Sequence, residues 1–203
     1  MYRLESSDVA LGCPCNSAAT LVKFTAHSLY FLYPNELGIR TLYAYNLHSH
    51  EMNPLLDTHE SQELGQLNLT EQLRRERMRN FSHGIVTYEL LELMNASFDH
   101  RIMIPSSDNK IFVYDASSSS PENSILWEVM DGTRGSIVDP HLSSYGDKIA
   151  FVVENDLYYI QVQQKQVSDV VYRVTHLGAE AGIAYGVAEF IAQEEMDRYR
   201  GFW

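Results

Sequence analysis

The feature that most constrains this chain is a strand–turn–strand unit that recurs along its 203 residues. Two runs rich in β-branched and aromatic residues, 147–153 and 157–162, flank the turn-forming residues 154–156. This pattern predicts a β-hairpin. Similar units occupy residues 100–115 and 28–47, so the hairpin is a repeated building block.

The spacing of these units predicts the architecture. Phe112 and Tyr158 are 46 residues apart, whereas Tyr43 and Phe112 are 69 apart, with an insertion between them. A period of about 40–50 residues with four strands per unit is typical of β-propeller blades, which bury their faces by stacking on neighbouring blades. We therefore expect an all-β fold, a partial β-propeller of about four blades of antiparallel strands, formed by residues 1–203 as one domain.

Two segments depart from the strand pattern and predict short helical insertions. The first, at about 68–79, contains strong helix formers without Gly or Pro, and Asn68 followed by Glu71 resembles a capping box. The second, at about 187–198, has apolar residues at helical spacing. The arginines of the first helix are consistent with a surface helix at a blade edge, or with one arginine that reaches a ligand channel.

Charge, cysteine and histidine usage exclude several classes of function. Acidic residues outnumber basic ones 27 to 15, which argues against nucleic acid as a partner. No long apolar run predicts a membrane span, and no hydrophobic signal region opens the chain, so we expect a cytoplasmic protein. Cys13 and Cys15 are too few for a disulfide framework, and His48 and His50 do not complete a zinc site. We expect neither a metal nor a cofactor.

Three segments carry a resemblance to a known family. Residues 186–203, GVAEFIAQEEMDRYRGFW, resemble the double-glutamate segment of the dipeptidyl peptidase IV family, which belongs to the prolyl oligopeptidase clan. Residues 68–79 followed by 84–88 are similar to a segment of its bacterial and cytosolic branches. The hairpin at 147–162, followed by 173–176, resembles the blade before the double-glutamate segment.

The resemblance implies a function and site residues. Members of this family have an eight-bladed propeller that caps an α/β-hydrolase domain, and they remove N-terminal dipeptides with Pro or Ala at the penultimate position. It implies that Glu194 and Glu195 hold the free α-amino group of the substrate. It also implies that an arginine contacts a substrate carbonyl, for which Arg134 is the candidate.

Two adjacent carboxylates suit the capture of a peptide N-terminus. An ammonium group presents three donors, and carboxylates accept them in charge-assisted hydrogen bonds. Two close carboxylates also repel each other, and an incoming cation relieves that repulsion. An acetylated N-terminus brings no charge and leaves both acids unpaired. Taken without the resemblance, Glu194 and Glu195 are better explained as the solvated face of a short helix.

The catalytic part of such an enzyme is absent from this sequence. The 203 residues contain no G-x-S-x-G motif, which marks the nucleophile of α/β-hydrolases. We therefore expect the chain to be inactive alone and to need the missing α/β-hydrolase domain of the same polypeptide. An open propeller exposes apolar blade faces, so we also expect a homo-oligomer. The alternative is a stand-alone propeller-like protein-interaction module without enzymatic activity.

Overall fold

The computed structural model describes most of the chain. The described residues are 19–56, 69–80, 84–93, 98–106, 109–117, 123–131, 135–163, 165–168 and 170–202. Cys13, Cys15, Asn68 and Arg134, which the sequence analysis singled out, lie outside these residues.

The described residues form three antiparallel sheets of four strands, each built from strands that are consecutive in the chain. Sheet 1 contains β1 (Thr20–Phe24), β2 (Ser28–Pro34), β3 (Arg40–Asn46) and β4 (Met52–Pro54). Sheet 2 contains β5 (Glu89–Glu92), β6 (His100–Pro105), β7 (Ile111–Ala116) and β8 (Ile125–Met130). Sheet 3 contains β9 (Val138–Leu142), β10 (Lys148–Val153), β11 (Asp156–Gln161) and β12 (Val171–Arg173).

The hairpin in sheet 3 shows how local sequence sets the register. β10 pairs with β11 from Lys148 opposite Gln161 to Val153 opposite Asp156. The turn therefore has two residues, Glu154 and Asn155, rather than the three expected, and Asp156 already belongs to β11. Both turn residues have positive φ angles of 48° and 66°, as in a type I′ turn, whose twist matches that of the flanking strands.

Sheet 2 is buried on both faces, because successive side chains of a strand point to opposite sides. In β6, Ile102 and Ile104 pack toward sheet 1, whereas Met103 packs toward sheet 3. The first core consists of Tyr30, Leu32, Leu42, Ile85, Tyr88, Ile102 and Ile104. The second consists of Met103, Ile111, Val113, Trp127, Val129, Met130, Ile137, Ile149, Phe151, Val153 and Ile160. Stacked four-stranded sheets with cores between them confirm the predicted all-β, partial-propeller fold, although the described residues form three sheets where about four blades were expected.

Arg101 on β6 forms a buried ion pair within sheet 2 and also contacts the turn before β10 of sheet 3. The Arg101 guanidinium donates to both carboxylate oxygens of Asp115, each at 2.6 Å, and Asp115 is only 1% exposed. A third N–H donates to the Gly146 carbonyl in the turn before β10, at 2.5 Å. The guanidinium carbon also lies 5.7 Å from the centre of the Trp127 ring. This arrangement satisfies a charge that would be costly to bury alone.

Three short helices accompany the sheets in the described residues. They are α1 (Leu69–Arg77), α2 (Gly178–Ala181) and α3 (Phe190–Glu195). The helix expected at 187–198 is shorter than predicted, because Glu189 is extended and Asp197 has a φ of 50°. α2 was not predicted. No helix in the described part of the chain is long and apolar enough to cross a membrane.

Candidate functional site

Glu194 and Glu195 lie in a loop that is closed at its base, here called the glutamate loop (residues 187–200). Val187 and Arg200 form an antiparallel bridge where the loop leaves and re-enters the body of the protein. Next to it, the backbones of Gly186 and Gly201 touch. A Cβ atom on Gly201 would lie 2.4 Å from the carbonyl carbon of Gly186, so only glycine fits there without a shift. The closed base makes the loop a single structural unit.

The two glutamates occupy the last turn of α3, and both are exposed. Consecutive residues of a helix are about 100° apart around its axis, which follows from 3.6 residues per turn. The residues before them, Ala192 and Gln193, are each 2% exposed and anchor the helix. The structure thus holds both carboxylates at one end of a short helix, with their side chains toward solvent.

Arg77, at the end of α1, contacts several residues of the glutamate loop. Its Nη1 donates to Oε1 of Gln193 at 3.0 Å, and its Nε lies 3.5 Å from Oε1 of Glu194. Its guanidinium carbon lies 4.9 Å from the centre of the Phe190 ring, a cation–π contact. The carbonyl of Arg77 accepts a hydrogen bond from the Tyr199 hydroxyl at 3.3 Å. One arginine of the predicted helix therefore reaches the predicted site.

A second charged cluster anchors the base of the loop. Arg200 Nη2 lies 3.1 Å from Oε1 of Glu89 on β5. His141 on β9 lies between two carboxylates: its Nδ1 contacts Glu89, and its Nε2 is 3.1 Å from Oδ1 of Asp139. The other oxygen of Glu89 accepts the backbone N–H of Leu142 at 2.7 Å. These contacts join the loop to sheets 2 and 3.

Titration in this cluster is set by the pairing of opposite charges. Burial alone would lower the pKa of His141, but the hydrogen bonds and charges of Asp139 and Glu89 outweigh it and raise the pKa. Burial alone would raise the pKa of Glu89, but His141, the Leu142 N–H and Arg200 together lower it. The ring nitrogens of His141 also lie 2.9 and 2.5 Å from Arg200. A ring that donates to two carboxylates cannot accept from Arg200, so we assign Glu89 as the partner of Arg200.

A small cleft behind this cluster is lined by charged pairs. It lies between α1, β5 and β9 and has a volume of about 70 Å³, well below the 300–1,000 Å³ of ordinary small-molecule sites. Arg74 contacts Asp139 there, and Arg75 Nε lies 2.8 Å from Glu71. We therefore interpret the cleft as the inner support of α1 and do not assign it to a substrate.

The remaining predicted site residues have simpler surroundings. His48 lies in the turn between β3 and β4 and His50 directly after it, and the Tyr45 hydroxyl is 3.0 Å from Nδ1 of His50. Within the described ranges, no group of three or more His, Cys, Asp or Glu residues could hold a metal ion. Sequence reasoning missed Gln193 and the base anchors. No sequence signal could have revealed them, because their partners lie about 50 to 120 residues away in the chain.

Comparison with known proteins shows a family match and a weak likeness to a solved structure. The family model described as "Dipeptidyl peptidase IV (DPP IV) N-terminal region" matches residues 95–203, which is more than half of the chain and includes the glutamate loop. A solved structure described as "Crystal structure of puromycin hydrolase" is 9% identical, with a TM-score of 0.32. That alignment covers 84% of this chain and 34% of the other, so this chain spans about a third of that protein's length.

Proposed function

Because this chain belongs to the family of dipeptidyl peptidase IV N-terminal regions, a family of peptidases, we propose that it is the substrate-recognition propeller of a serine dipeptidyl peptidase. The enzyme removes N-terminal dipeptides with Pro or Ala at the penultimate position. Its nucleophile belongs to an α/β-hydrolase domain of the same polypeptide, outside these 203 residues. The observation that carries the proposal is that the matched residues contain the adjacent Glu194 and Glu195 on one exposed helical turn.

In this proposal, the two glutamates bind the free α-amino group of the substrate. Each charge-assisted hydrogen bond between an ammonium and a carboxylate contributes about 1.5–3 kcal/mol. The exposure of Glu194 and Glu195 leaves their oxygens accessible to an incoming ligand. An N-acetylated peptide lacks the charge, and its binding would desolvate two carboxylates without compensation. The site therefore selects free N-termini.

The two carboxylates differ in their surroundings, and this difference supports unequal contributions to binding of the ammonium. Arg77 lies 3.5 Å from Glu194 and partly neutralises it before any ligand arrives. Glu195 forms no ion pair with any residue that the structure describes. We propose that Glu195 makes the stronger contact with the ammonium, because its charge is not shared with an arginine.

Fixing the ammonium in this loop also determines which bond is cleaved. If the amino group is held by Glu194 and Glu195, and the nucleophile lies at a set distance in the hydrolase domain, only the second peptide bond is placed for attack. Selectivity for dipeptide release then resides in this chain, and bond cleavage resides in the other domain. We further propose that Arg134 contacts a substrate carbonyl, that the chain is inactive alone, and that it self-associates through open sheet faces in the cytoplasm.

The proposal is tested in the full-length peptidase with a free-amine Ala-Pro chromogenic substrate. Loss of one charge-assisted hydrogen bond of 1.5–3 kcal/mol predicts that Glu195→Gln lowers kcat/KM about 10- to 150-fold. Glu194→Gln should have a smaller effect. Glu189→Gln is the matched control, because Glu189 is exposed in the same loop and makes no side-chain cap. A Glu195→Gln enzyme that behaves like Glu189→Gln would contradict amine binding by this loop.

A further inference from the structure

The side-chain amide of Gln193 is buried at the centre of the glutamate loop, and both its nitrogen and its oxygen form hydrogen bonds. It is 2% exposed, whereas the two glutamates that follow it are exposed. Its Nε2 donates to the carbonyl of Ala188 at 2.5 Å, and its Oε1 accepts from Nη1 of Arg77 at 3.0 Å. The amide thus connects the start of the loop to α1.

α3 needs such contacts because it is too short to be stable by itself. It has six residues, and its N-cap Glu189 makes no side-chain hydrogen bond to the helix. Isolated helices shorter than about 12–15 residues are marginal in water, and a helix without a cap is weaker still. The direction in which Glu194 and Glu195 point therefore depends on tertiary contacts, and Gln193 supplies two of them.

A neutral amide suits this position better than a charged or an apolar side chain. It orients Arg77 so that Nη1 is occupied and Nε lies toward Glu194, 3.5 Å away. A carboxylate at position 193 would compete with Glu194 for the same guanidinium. An apolar side chain would leave an N–H of Arg77 and the carbonyl of Ala188 without these partners, and a buried polar group without a partner destabilises the fold.

We infer that Gln193 is a positioning residue for the amine-binding pair. It acts through Arg77 and through the turn at Ala188, and sets the orientation of the helical turn that carries Glu194 and Glu195. Gln193 itself does not touch the substrate. The inference rests on the proposed function, because it concerns how tightly the same loop binds a free amino group.

The test replaces Gln193 in the full-length peptidase while keeping the length of the side chain. Gln193→Met removes both hydrogen bonds, and Gln163→Met is the control, because Gln163 is exposed after β11. With a free-amine Ala-Pro chromogenic substrate, Gln193→Met should raise KM about 5- to 150-fold, the equivalent of 1–3 kcal/mol. kcat should change less than about twofold, because the reacting groups lie in another domain. The control should keep the wild-type KM.

A double-mutant cycle separates positioning through Arg77 from a general loss of structure. If the amide acts partly through Arg77, adding Gln193→Met to Arg77→Met should raise KM by a smaller factor than Gln193→Met does alone, and the remaining increase reports the lost bond to Ala188. Fully additive effects would overturn the inference. Should Gln193→Met fail to fold, Gln193→Asn takes its place. It keeps the amide but is one methylene too short to span Ala188 and Arg77, so the same changes are expected.

Glu195→Gln distinguishes failure of this inference from failure of the proposed function. If Glu195→Gln leaves KM unchanged, the loop does not bind the amine, and both proposals fall. If Glu195→Gln raises KM but Gln193→Met behaves like Gln163→Met, the proposed function stands and the positioning role of Gln193 is wrong. If both variants raise KM and the cycle is not additive, the inference is supported.

Discussion

The glycine contact at the base of the glutamate loop allows a prediction that needs no substrate. In Gly201→Ala, the new Cβ would lie 2.4 Å from the carbonyl carbon of Gly186, 2.5 Å from its oxygen and 2.5 Å from the carbonyl carbon of Val187. Comfortable contacts between carbon atoms are about 3.5–4.0 Å. All three neighbours are backbone atoms, so no side chain can turn away. The two ends of the loop must therefore move apart by about 1 Å.

The size of the effect follows from this geometry. Forcing an extra methyl into a packed site costs about 1–3 kcal/mol. For a chain of 203 residues, each kcal/mol corresponds to about 2–4 °C in Tm, so we expect a loss of about 2–12 °C. The free energy of local opening should fall by the same amount. Amide exchange in the loop should then accelerate about 5- to 150-fold.

Hydrogen exchange measured by NMR is the decisive assay because it is local. The amides of Gln193 and Arg198 report on the loop, since they donate to Glu189 at 3.1 Å and to Ala192 at 2.9 Å. Gly38→Ala is the control: it introduces a Cβ at a φ of 74° with nothing within 4 Å, so it strains only its own turn. If exchange at Gln193 and Arg198 in Gly201→Ala stays within about twofold of wild type, the loop is not held at its base as described.

Three further predictions concern the body of the protein. Asp115→Asn breaks the buried pair with Arg101 and should lower the free energy of unfolding by about 3–5 kcal/mol, as measured by urea denaturation. Tyr88→Phe removes a hydroxyl that contacts two backbone carbonyls and should cost about 1–3 kcal/mol in the same assay. The raised pKa of His141 and the lowered pKa of Glu89 predict a pH dependence. The stability difference between wild type and His141→Gln should be largest between the ordinary pKa values of 4.5 and 6.5. It should shrink as the pH rises through the raised pKa of His141, or falls through the lowered pKa of Glu89.

Surface variants provide the controls for these three predictions. Asp147→Asn removes an exposed pair with Lys148, and solvent screening leaves such pairs little effect on stability. Tyr145→Phe alters a residue that is 86% exposed and should leave stability unchanged. His27→Gln makes the same substitution at an exposed histidine and is the matched control for His141→Gln. A buried variant that matched its surface control would show that the corresponding contact does not stabilise the fold.

The hairpins could be predicted because their determinants are local. β6 begins at His100, the first residue of the unit predicted at 100–115. The turn between β10 and β11 was predicted in place but one residue too long. Glu154 has a positive φ angle, which glutamate rarely adopts. Its residue type therefore could not predict the two-residue turn. The cores between sheets were expected because a propeller blade buries its faces only by stacking on neighbouring blades.

The site could be predicted only in part because its supports are long-range. Glu194 and Glu195 were found through the family resemblance, since an adjacent acidic pair has no distinctive pattern of its own. The roles of Gln193 and Arg77 depend on a contact across 116 residues of sequence. No periodicity or motif encodes such a contact, because it arises only when α1 and the loop are brought together by the stacking of the sheets.

The order of strands within the sheets has a consequence for biosynthesis. Each sheet uses neighbouring strands of one contiguous stretch, 20–54, 89–130 or 138–173. A ribosome adds about 5–20 residues per second, so a stretch of this length emerges within about 2–8 seconds. Its hydrogen bonds can close as it leaves the exit tunnel, without waiting for a distant partner. Its apolar face, however, stays exposed to solvent until the next sheet has been synthesised and packs against it. Nascent chains should therefore fold one sheet at a time. After each step the last completed sheet has an exposed apolar face to which a chaperone can bind.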